Sequence, residues 1–416
     1  MSSLLTNTSA MVALQTLKSI NSSLDETNNR VSTGLRVNSA ADNAAYWSIA
    51  TTARSDNGAL GAVEDSLGVG KSTVDTVTTG LDTVRTALQK VKEKLVSASA
   101  PDVDRGKLQV EISSLLEQVR SVAANTVSGG SNWLSVDSSG ADYNATKTIV
   151  ASFSRTGDSV AVDTIKIDSA AVKLYDANQT VHTAVDAAVT TASSTYSTAK
   201  TAADTAYTTA VGTADSDYAT AIGLADAGFA AGPDAGDVAV RDAAYATALV
   251  ARNTAYDTAT TTKATAYAGA ATAFGNSLVA SGTDALGLLD KTRIATATGG
   301  QATASSVADI DISSLSGSED DLATIANYLQ IVDDALSDMT DSSTVLGTVG
   351  SRIDSQISFV KALSDANTRA IGTLVDADME AESTKLKALQ TQQQLAIQSL
   401  SIANSTSQNI LSLFRN

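Results

Sequence analysis

The chain has 416 residues, a formal net charge of −17 and no cysteine. The acidity argues against nucleic acid or an anionic membrane as the main partner, and the lack of cysteine excludes disulfides, cysteine-bound zinc and cysteine nucleophiles. One histidine, two prolines and 4% aromatic residues exclude most histidine-based metal and triad sites and favour long helices over a β-rich globule.

The sequence has no run of eighteen apolar residues of the kind that spans a membrane. Its first twenty residues lack the basic start, the long apolar run and the small-residue cleavage site of a secretory signal peptide. We therefore expect that, if this protein leaves the cell, it does so by another route.

Both ends of the chain carry apolar residues at a spacing of seven. Two such rows form the seam of a coiled coil, and polar residues within the rows weaken the seam and set its register. Asn21 and Asn28 interrupt the first seam, and Gln393 and Ser407 interrupt the second. Both ends are therefore predicted to be helices that are weak alone and need partners. The predicted seam residues are Leu14, Leu17, Leu24, Val31, Leu35, Leu386, Leu389, Ala396, Leu400, Ala403, Ile410 and Phe414.

Inside these ends the seven-residue rows become fully apolar. A break at Ala100-Pro101-Asp102 and a further helix from Leu108 to Val122 allow the chain to fold back. These segments predict one long antiparallel bundle that joins both halves of the chain. Gly70 stands as a gap in a companion row of valines. The predicted bundle core is Leu60, Leu67, Val74, Leu81, Leu88, Leu95, Ile325, Val332, Met339, Leu346, Ile353 and Val360.

A short β region follows the first half of the bundle. The alternating stretches 147–154 and 159–168 flank a turn at 155–158, which predicts a hairpin. A shorter alternating stretch at 305–314 is predicted to pair with it.

The middle of the chain, residues 180–289, repeats every eleven residues. Eleven residues make three helical turns, which predicts nearly straight helices. A glycine-rich break at 228–237 divides the repeat, so we expect a helical hairpin; the alternative is a partly disordered insert. The repeating aromatic residues are Tyr196, Tyr207, Tyr218, Phe229, Tyr245, Tyr256 and Tyr267.

Motifs that would carry chemistry are incomplete. The "GVGKST" stretch at 68–73 lacks the first glycine of a phosphate-binding loop, and residues 309–320 lack the glycine and glutamate of a calcium loop. His182 is predicted to be a surface or packing residue, and Trp47 and Trp133 are predicted to anchor packing. We predict no catalytic, cofactor-binding or metal site, and no enzyme.

Two stretches, at 28–51 and 374–416, closely resemble the terminal regions of bacterial flagellin, and a third, at 108–134, resembles the next part of that family's helical core. The resemblance covers about the first 135 and the last 100 residues, and it is closest in character to rhizobial and related alphaproteobacterial flagellins. The resemblance and the sequence periods together predict a mainly α fold: a long antiparallel coiled-coil bundle built from both chain ends, a small β-hairpin region and an outer helical-hairpin insertion. The middle of the chain does not resemble the outer domains of the family, so the helical hairpin rests on the eleven-residue period alone.

The resemblance also implies a function and partners. Flagellins are exported through the flagellar type III channel and polymerise beneath a cap into the extracellular filament that drives swimming. The implied partners are further copies of the chain, alone or with other flagellins, a flagellar export chaperone, and the filament cap and hook–filament junction proteins, with no nucleic acid and no membrane. Neighbouring subunits would then cover the apolar seam at the end of the chain.

The expected division places residues 1–40 and 375–416 in the inner filament core, 41–175 and 290–374 in the helical bundle with its β region, and 176–289 in a variable outer domain. Two alternatives stay open. One is a hook–filament junction protein, which shares the terminal helices; the other is a secreted coiled-coil adhesin that binds through the middle hairpin.

Overall fold

The structure is a computed structural model that describes residues 7–141, 143–157, 159–231, 235–297 and 301–413. The chain is mainly helical, as predicted. The helices are α1 (Thr8–Thr33), α2 (Ala44–Ala98), α3 (Arg105–Asn125), α4 (Gln179–Ala231), α5 (Ala235–Ala280), α6 (Glu319–Val375) and α7 (Met379–Leu413). The strands are β1 (Val127–Ser128), β2 (Ser131–Asn132), β3 (Ser135–Val136), β4 (Thr146–Thr156), β5 (Ser159–Asp168), β6 (Tyr175–Asp176), β7 (Arg293–Thr296) and β8 (Ala302–Ser305).

The chain divides into two compact units. The terminal unit comprises Met1–Gly68, Val150–Thr164 and Ser355–Asn416, and the central unit comprises Val69–Ile149 and Ile165–Asp354. Helices α2 and α6 and strands β4 and β5 contribute residues to both units.

In the terminal unit, α1 and α7 pair in antiparallel directions. The side-chain amide of Asn7 donates to the carbonyl of Ala403 at 3.0 Å, whereas Arg30, near the end of α1, contacts Glu382, near the start of α7, at 3.2 Å. The two terminal helices, which the seven-residue rows predicted to need partners, therefore pair first with each other within the same chain.

The corners that lead into and out of this helix pair lie side by side. Gly34 adopts a left-handed conformation with φ 72°, which stops α1. The amide of Val37 then donates to the carbonyl of Val375, and the amide of Ala377 donates to the carbonyl of Gly34. The buried side chains of Val37, Ala50 and Val375 pack together beneath these bonds. The two corners therefore fix where α1 ends and α7 begins.

In the central unit, α2 and α6 form the antiparallel core of the predicted coiled-coil bundle. Lys92 contacts Asp333 at 2.5 Å and Lys71 contacts Asp354 at 3.9 Å, so 21 residues on one helix match 21 on the other. This interval is three heptads, the period of the apolar rows. Helix α3 folds back onto α2, with an ion pair of 2.5 Å between Lys94 and Glu111.

Two glycines in α2 make room for neighbouring segments. A Cβ on Gly70 would lie 2.6 Å from Cδ1 of Ile149, in β4, and a Cβ on Gly80 would lie 2.9 Å from Cδ1 of Leu134. The gap at Gly70 in the valine row is therefore the position where β4 packs onto the helix.

The strands form small separate pairs. β4 pairs with β5 around Gly157, where φ is 62°, so the predicted hairpin is present, although Asp158 of the predicted turn lies outside the described residues. The prediction for residues 305–314 is wrong. β8 ends at Ser305 and pairs with β7, and residues 307–309 form a 3-10 turn. The side-chain amide of Gln109, in α3, donates to the carbonyl of Ile310 and accepts the amide of Ile312, so these backbone groups pair with a helix side chain rather than with a strand.

Helices α4 and α5 form the predicted helical hairpin, and its register repeats every eleven residues. The hydroxyl groups of Tyr267, Tyr256 and Tyr245 donate to Asp204, Asp215 and Asp226 respectively. A second series places each cation of α5 over a ring of α4: Lys263 over Tyr207, Arg252 over Tyr218 and Arg241 over Phe229. The repeat therefore matches residues across the hairpin, in addition to spacing the rings along each helix.

Candidate assembly surface

The paired helices α1 and α7 contain most of the predicted seam. Leu14 is the exception in α1, because its side chain lies outside the seam and is 53% exposed. The side chain of Ile410 and the whole of Phe414 lie outside the described residues. The seam residues that are half-buried in the helix pair are Leu17, Leu24, Val31, Leu386, Leu389, Ala396, Leu400 and Ala403. Leu35 follows the end of α1 and is half-buried at the corner, against Val37 and Val375.

The seam is polar at its centre. The side-chain amide of Gln393 donates to Asn21 at 2.7 Å. The hydroxyl of Thr27 is buried without a hydrogen-bond partner among the described residues, and such a group lowers stability by about 1 to 3 kcal/mol. These residues fix the antiparallel register at the cost of a weak helix pair.

A different set of apolar side chains faces away from the seam. Leu395 and Ile402 are one heptad apart on α7 and both are 60% exposed, so they form a row on one face of the helix. On α1, Met11 and Val12 are exposed as well. We call these four residues the outer row. The seven-residue rows of the seam do not predict these four residues, although the spacing of seven between Leu395 and Ile402 is a signal for a second apolar face on α7.

The start of α2 adds a second exposed apolar group in the terminal unit. Tyr46, Trp47 and Ile49 are all exposed, with Trp47 at 37%. The prediction that both tryptophans anchor packing is therefore wrong for Trp47 within this chain, whereas Trp133 is buried. Aromatic residues left exposed in this way are typical of protein–protein contacts.

The predicted bundle core occupies the interior. Every one of those twelve residues, from Leu60 to Leu95 and from Ile325 to Val360, is at most 2% exposed. These side chains are therefore used within the chain and are not available to a partner.

The chemistry-like motifs occupy structural positions. Residues 68–73 lie within α2 rather than in a loop after a strand, so their backbone amides are not free to cradle a phosphate. His182 contacts the carbonyl of Asp176 at 2.6 Å. Within the described ranges, no three His, Cys, Asp or Glu side chains are grouped as metal ligands would be, and none of the helices has the length and apolar character needed to cross a membrane.

A helical chain that pairs its two ends and leaves apolar rows exposed on that pair is the subunit of an assembly. The model of the bacterial flagellin N-terminal helical region matches residues 4–139, and that of the C-terminal helical region matches residues 329–414. Flagellin A and flagellin C of Rhizobium meliloti are 42% and 38% identical to this chain, and a flagellin of Brucella melitensis is 33% identical. Each of these matches covers 100% of both chains.

The chain therefore belongs to the bacterial flagellins. Its function is that of a structural subunit of the flagellar filament, and it is not an enzyme. The full-length similarity to flagellins favours this function over the two alternatives, the junction protein and the adhesin.

Proposed function

We propose that the outer row, Met11, Val12, Leu395 and Ile402, makes the contacts between subunits in the filament. In this arrangement the seam holds α1 and α7 together and the outer row meets neighbouring copies. Residues 1–40 and 375–416 then form the inner filament core, 41–175 and 290–374 the next shell, and 176–289 the outward domain. The observation that carries the proposal is the exposure of apolar side chains on both terminal helices.

The energetics favour this assignment. Burying one leucine or isoleucine side chain stabilises an interface by about 1.5 to 3 kcal/mol, and an open helical polymer repeats that gain at every subunit. The net charge of −17 opposes association. Apolar contacts must therefore offset a repulsion that salt screens, and assembly becomes easier as ionic strength rises.

The exposed side chains of the outer row also favour binding of a partner before the filament forms. Before polymerisation, α7 needs a cover for Leu395 and Ile402, and a flagellar export chaperone is the partner that would supply it. Export through the type III channel would then deliver the chain to the extracellular filament, between the junction proteins and the cap, alone or together with other flagellins. The family supports these partners.

The test is to place a charge in the outer row. Leu395→Asp should leave the monomer folded, because the side chain is already exposed. It should prevent elongation of filament seeds, because an unpaired carboxylate buried between subunits costs several kcal/mol. Light scattering of seeded protein measures elongation, and circular dichroism of the monomer measures folding.

The matched control is Gln394→Asp, which adds the same charge at the neighbouring exposed position without removing an apolar side chain. It should elongate better than Leu395→Asp. If Leu395→Asp elongates seeds at the wild-type critical concentration, the outer row is not the assembly interface.

A substitution at Leu400 distinguishes the role of the seam from that of the outer row. The sequence alone suggested that Leu400→Asp would cost little in the monomer, where the terminal helix was expected to be loose. Because Leu400 is half-buried in the α1–α7 pair, we now expect this variant to loosen the pair in the monomer as well as to impair assembly.

A further inference from the structure

The central unit contains a buried cluster of charged groups where the chain enters and leaves the α4–α5 hairpin. Lys173 and Asp176 form an ion pair of 2.6 Å, with side chains 5% and 0% exposed. The Lys173 ammonium also donates to the carbonyl of Ala285 at 2.5 Å, and the amide of Leu289 donates to the carbonyl of Leu174 at 2.9 Å. Side-chain and backbone bonds therefore join the segment that enters the hairpin, residues 173–176, to the segment that leaves it, residues 285–290. We call these two segments the crossings, and together they form the base of the hairpin.

Asp290 completes this cluster on the exit side. One oxygen of its carboxyl group accepts the amide of Asp176 at 2.9 Å and lies 3.9 Å from Nε2 of His182. Nε2 of His182 lies 2.6 Å from the carbonyl of Asp176. Asp176 is neutralised by Lys173, whereas the ion-pair contact of Asp290 within the described part of the chain is with His182, which is charged only when protonated.

The groups around Asp290 come from every neighbouring element. They are His182 from α4, Arg120 from α3, Asp309 from the turn after β8, and Tyr175 and Asp176 from β6. Burial raises the pKa of the Asp290 carboxyl to about 6 and Asp309 adds to the rise, against the opposing effects of the Asp176 amide, His182 and Arg120.

The Asp176 carboxyl behaves in the opposite way. Burial acts to raise its pKa, but hydrogen bonds from Lys173 and Ser138 outweigh that effect and hold the pKa below its ordinary value. The Asp176 carboxyl group therefore stays ionised, whereas the Asp290 carboxyl group can gain or lose a proton as the pH changes.

We propose that Asp290 is a proton-controlled latch at the base of the α4–α5 hairpin: with its carboxyl protonated the two crossings stay joined, and with it ionised they separate more readily. The sign follows from linkage. The closed base binds the proton with a pKa of about 6, and the open base binds it with the ordinary value of 3.8, so acid favours the closed form. The closing equilibrium should fall by about tenfold between pH 5 and pH 7.5. This latch is independent of the filament contacts proposed above.

Hydrogen–deuterium exchange of the soluble full-length chain measures the latch. Peptides covering 173–185 and 283–293 should be about tenfold more protected at pH 5 than at pH 7.5 after correction for the intrinsic exchange rate. Peptides from the bundle core, such as 81–95, should change much less. In Asp290→Asn, protection of the base should be the same at both pH values, because the amide carries no charge and its oxygen still accepts the Asp176 amide.

Two variants distinguish Asp290 from other causes. Asp284→Asn removes an exposed carboxylate on the same segment, one that pairs with Lys291, and should keep the wild-type pH dependence. His182→Gln should also keep it. If His182→Gln loses the pH dependence while Asp290→Asn retains it, the histidine is the sensor and the proposal is overturned. Equal protection of the wild-type base at both pH values overturns it without any variant.

Discussion

Gly70 offers a direct test of how β4 is seated on α2. Alanine at this position would place its methyl group 2.6 Å from Cδ1, 2.7 Å from Cγ2 and 3.0 Å from Cγ1 of Ile149. Ile149 is buried, so it has little space to move aside. Overpacking of this kind costs about 1 to 3 kcal/mol, whereas alanine in place of glycine within a helix otherwise gains about 0.5 to 1 kcal/mol.

Gly347→Ala is the matched substitution, because Gly347 lies within a helix, α6, of the same unit and a Cβ there would meet nothing within 4 Å. The helix gain is common to both variants, so the difference between their free energies of unfolding isolates the overpacking cost. We expect Gly347→Ala to be stabilised and Gly70→Ala to be about 1 to 3 kcal/mol less stable than it.

Urea unfolding followed by Trp133 fluorescence measures this difference in the central unit. The exposed Trp47 is first replaced by phenylalanine, so that the signal comes from the buried tryptophan alone. Ile149→Ala removes all three crowding atoms and should turn Gly70→Ala from destabilising to stabilising. If Gly70→Ala is as stable as Gly347→Ala in the presence of Ile149, β4 does not pack at this glycine as described.

Two further outcomes are expected. Deleting 208–218 from α4 together with 252–262 from α5 removes one eleven-residue repeat from each helix. The hairpin should become shorter but stay fully helical by circular dichroism, because the Tyr267–Asp204 and Tyr245–Asp226 pairs stay in register. Deleting 208–218 alone should lower the helix content, and equal helix content in both variants would contradict the register. Lys173→Met should lower the free energy of unfolding of the central unit by about 3 to 5 kcal/mol, because it leaves the Asp176 carboxylate buried without its cation. Adding Asp176→Asn should recover part of this loss. A thermal melting curve unchanged by Lys173→Met would refute the role of this ion pair.

The long elements were predictable because their signals are local. A row such as Leu60 to Leu95 repeats every seven residues, and Tyr196 to Phe229 repeats every eleven, so the period alone gives the helix and the face that it buries. The break at Pro101 and the glycine-rich stretch at 228–237 were equally local. Conformation and burial along one helix depend on neighbours within a few turns, which the sequence displays directly.

The candidate assembly surface was predictable only in part. The sequence indicated that both ends are apolar and need partners, and it placed Leu14 and Leu400 in the seams that those partners cover. The structure covers Leu400 within the chain, leaves Leu14 exposed and adds Leu395, Ile402 and Trp47 to the exposed set. Which apolar face remains uncovered depends on how α1 meets α7, which a single row of residues does not specify.

The sequence by itself determined the helices, their apolar faces and the resemblance to flagellin, because each rests on a period or a motif within one segment. Only the tertiary structure decided that Gly70 admits Ile149, that β8 pairs with β7, and that Asp290 meets Asp176 and His182. Asp176 and Asp290 are 114 residues apart in sequence. Their electrostatic coupling arises when folding removes both carboxyl groups from water and brings the two crossings together, and no local pattern records that event.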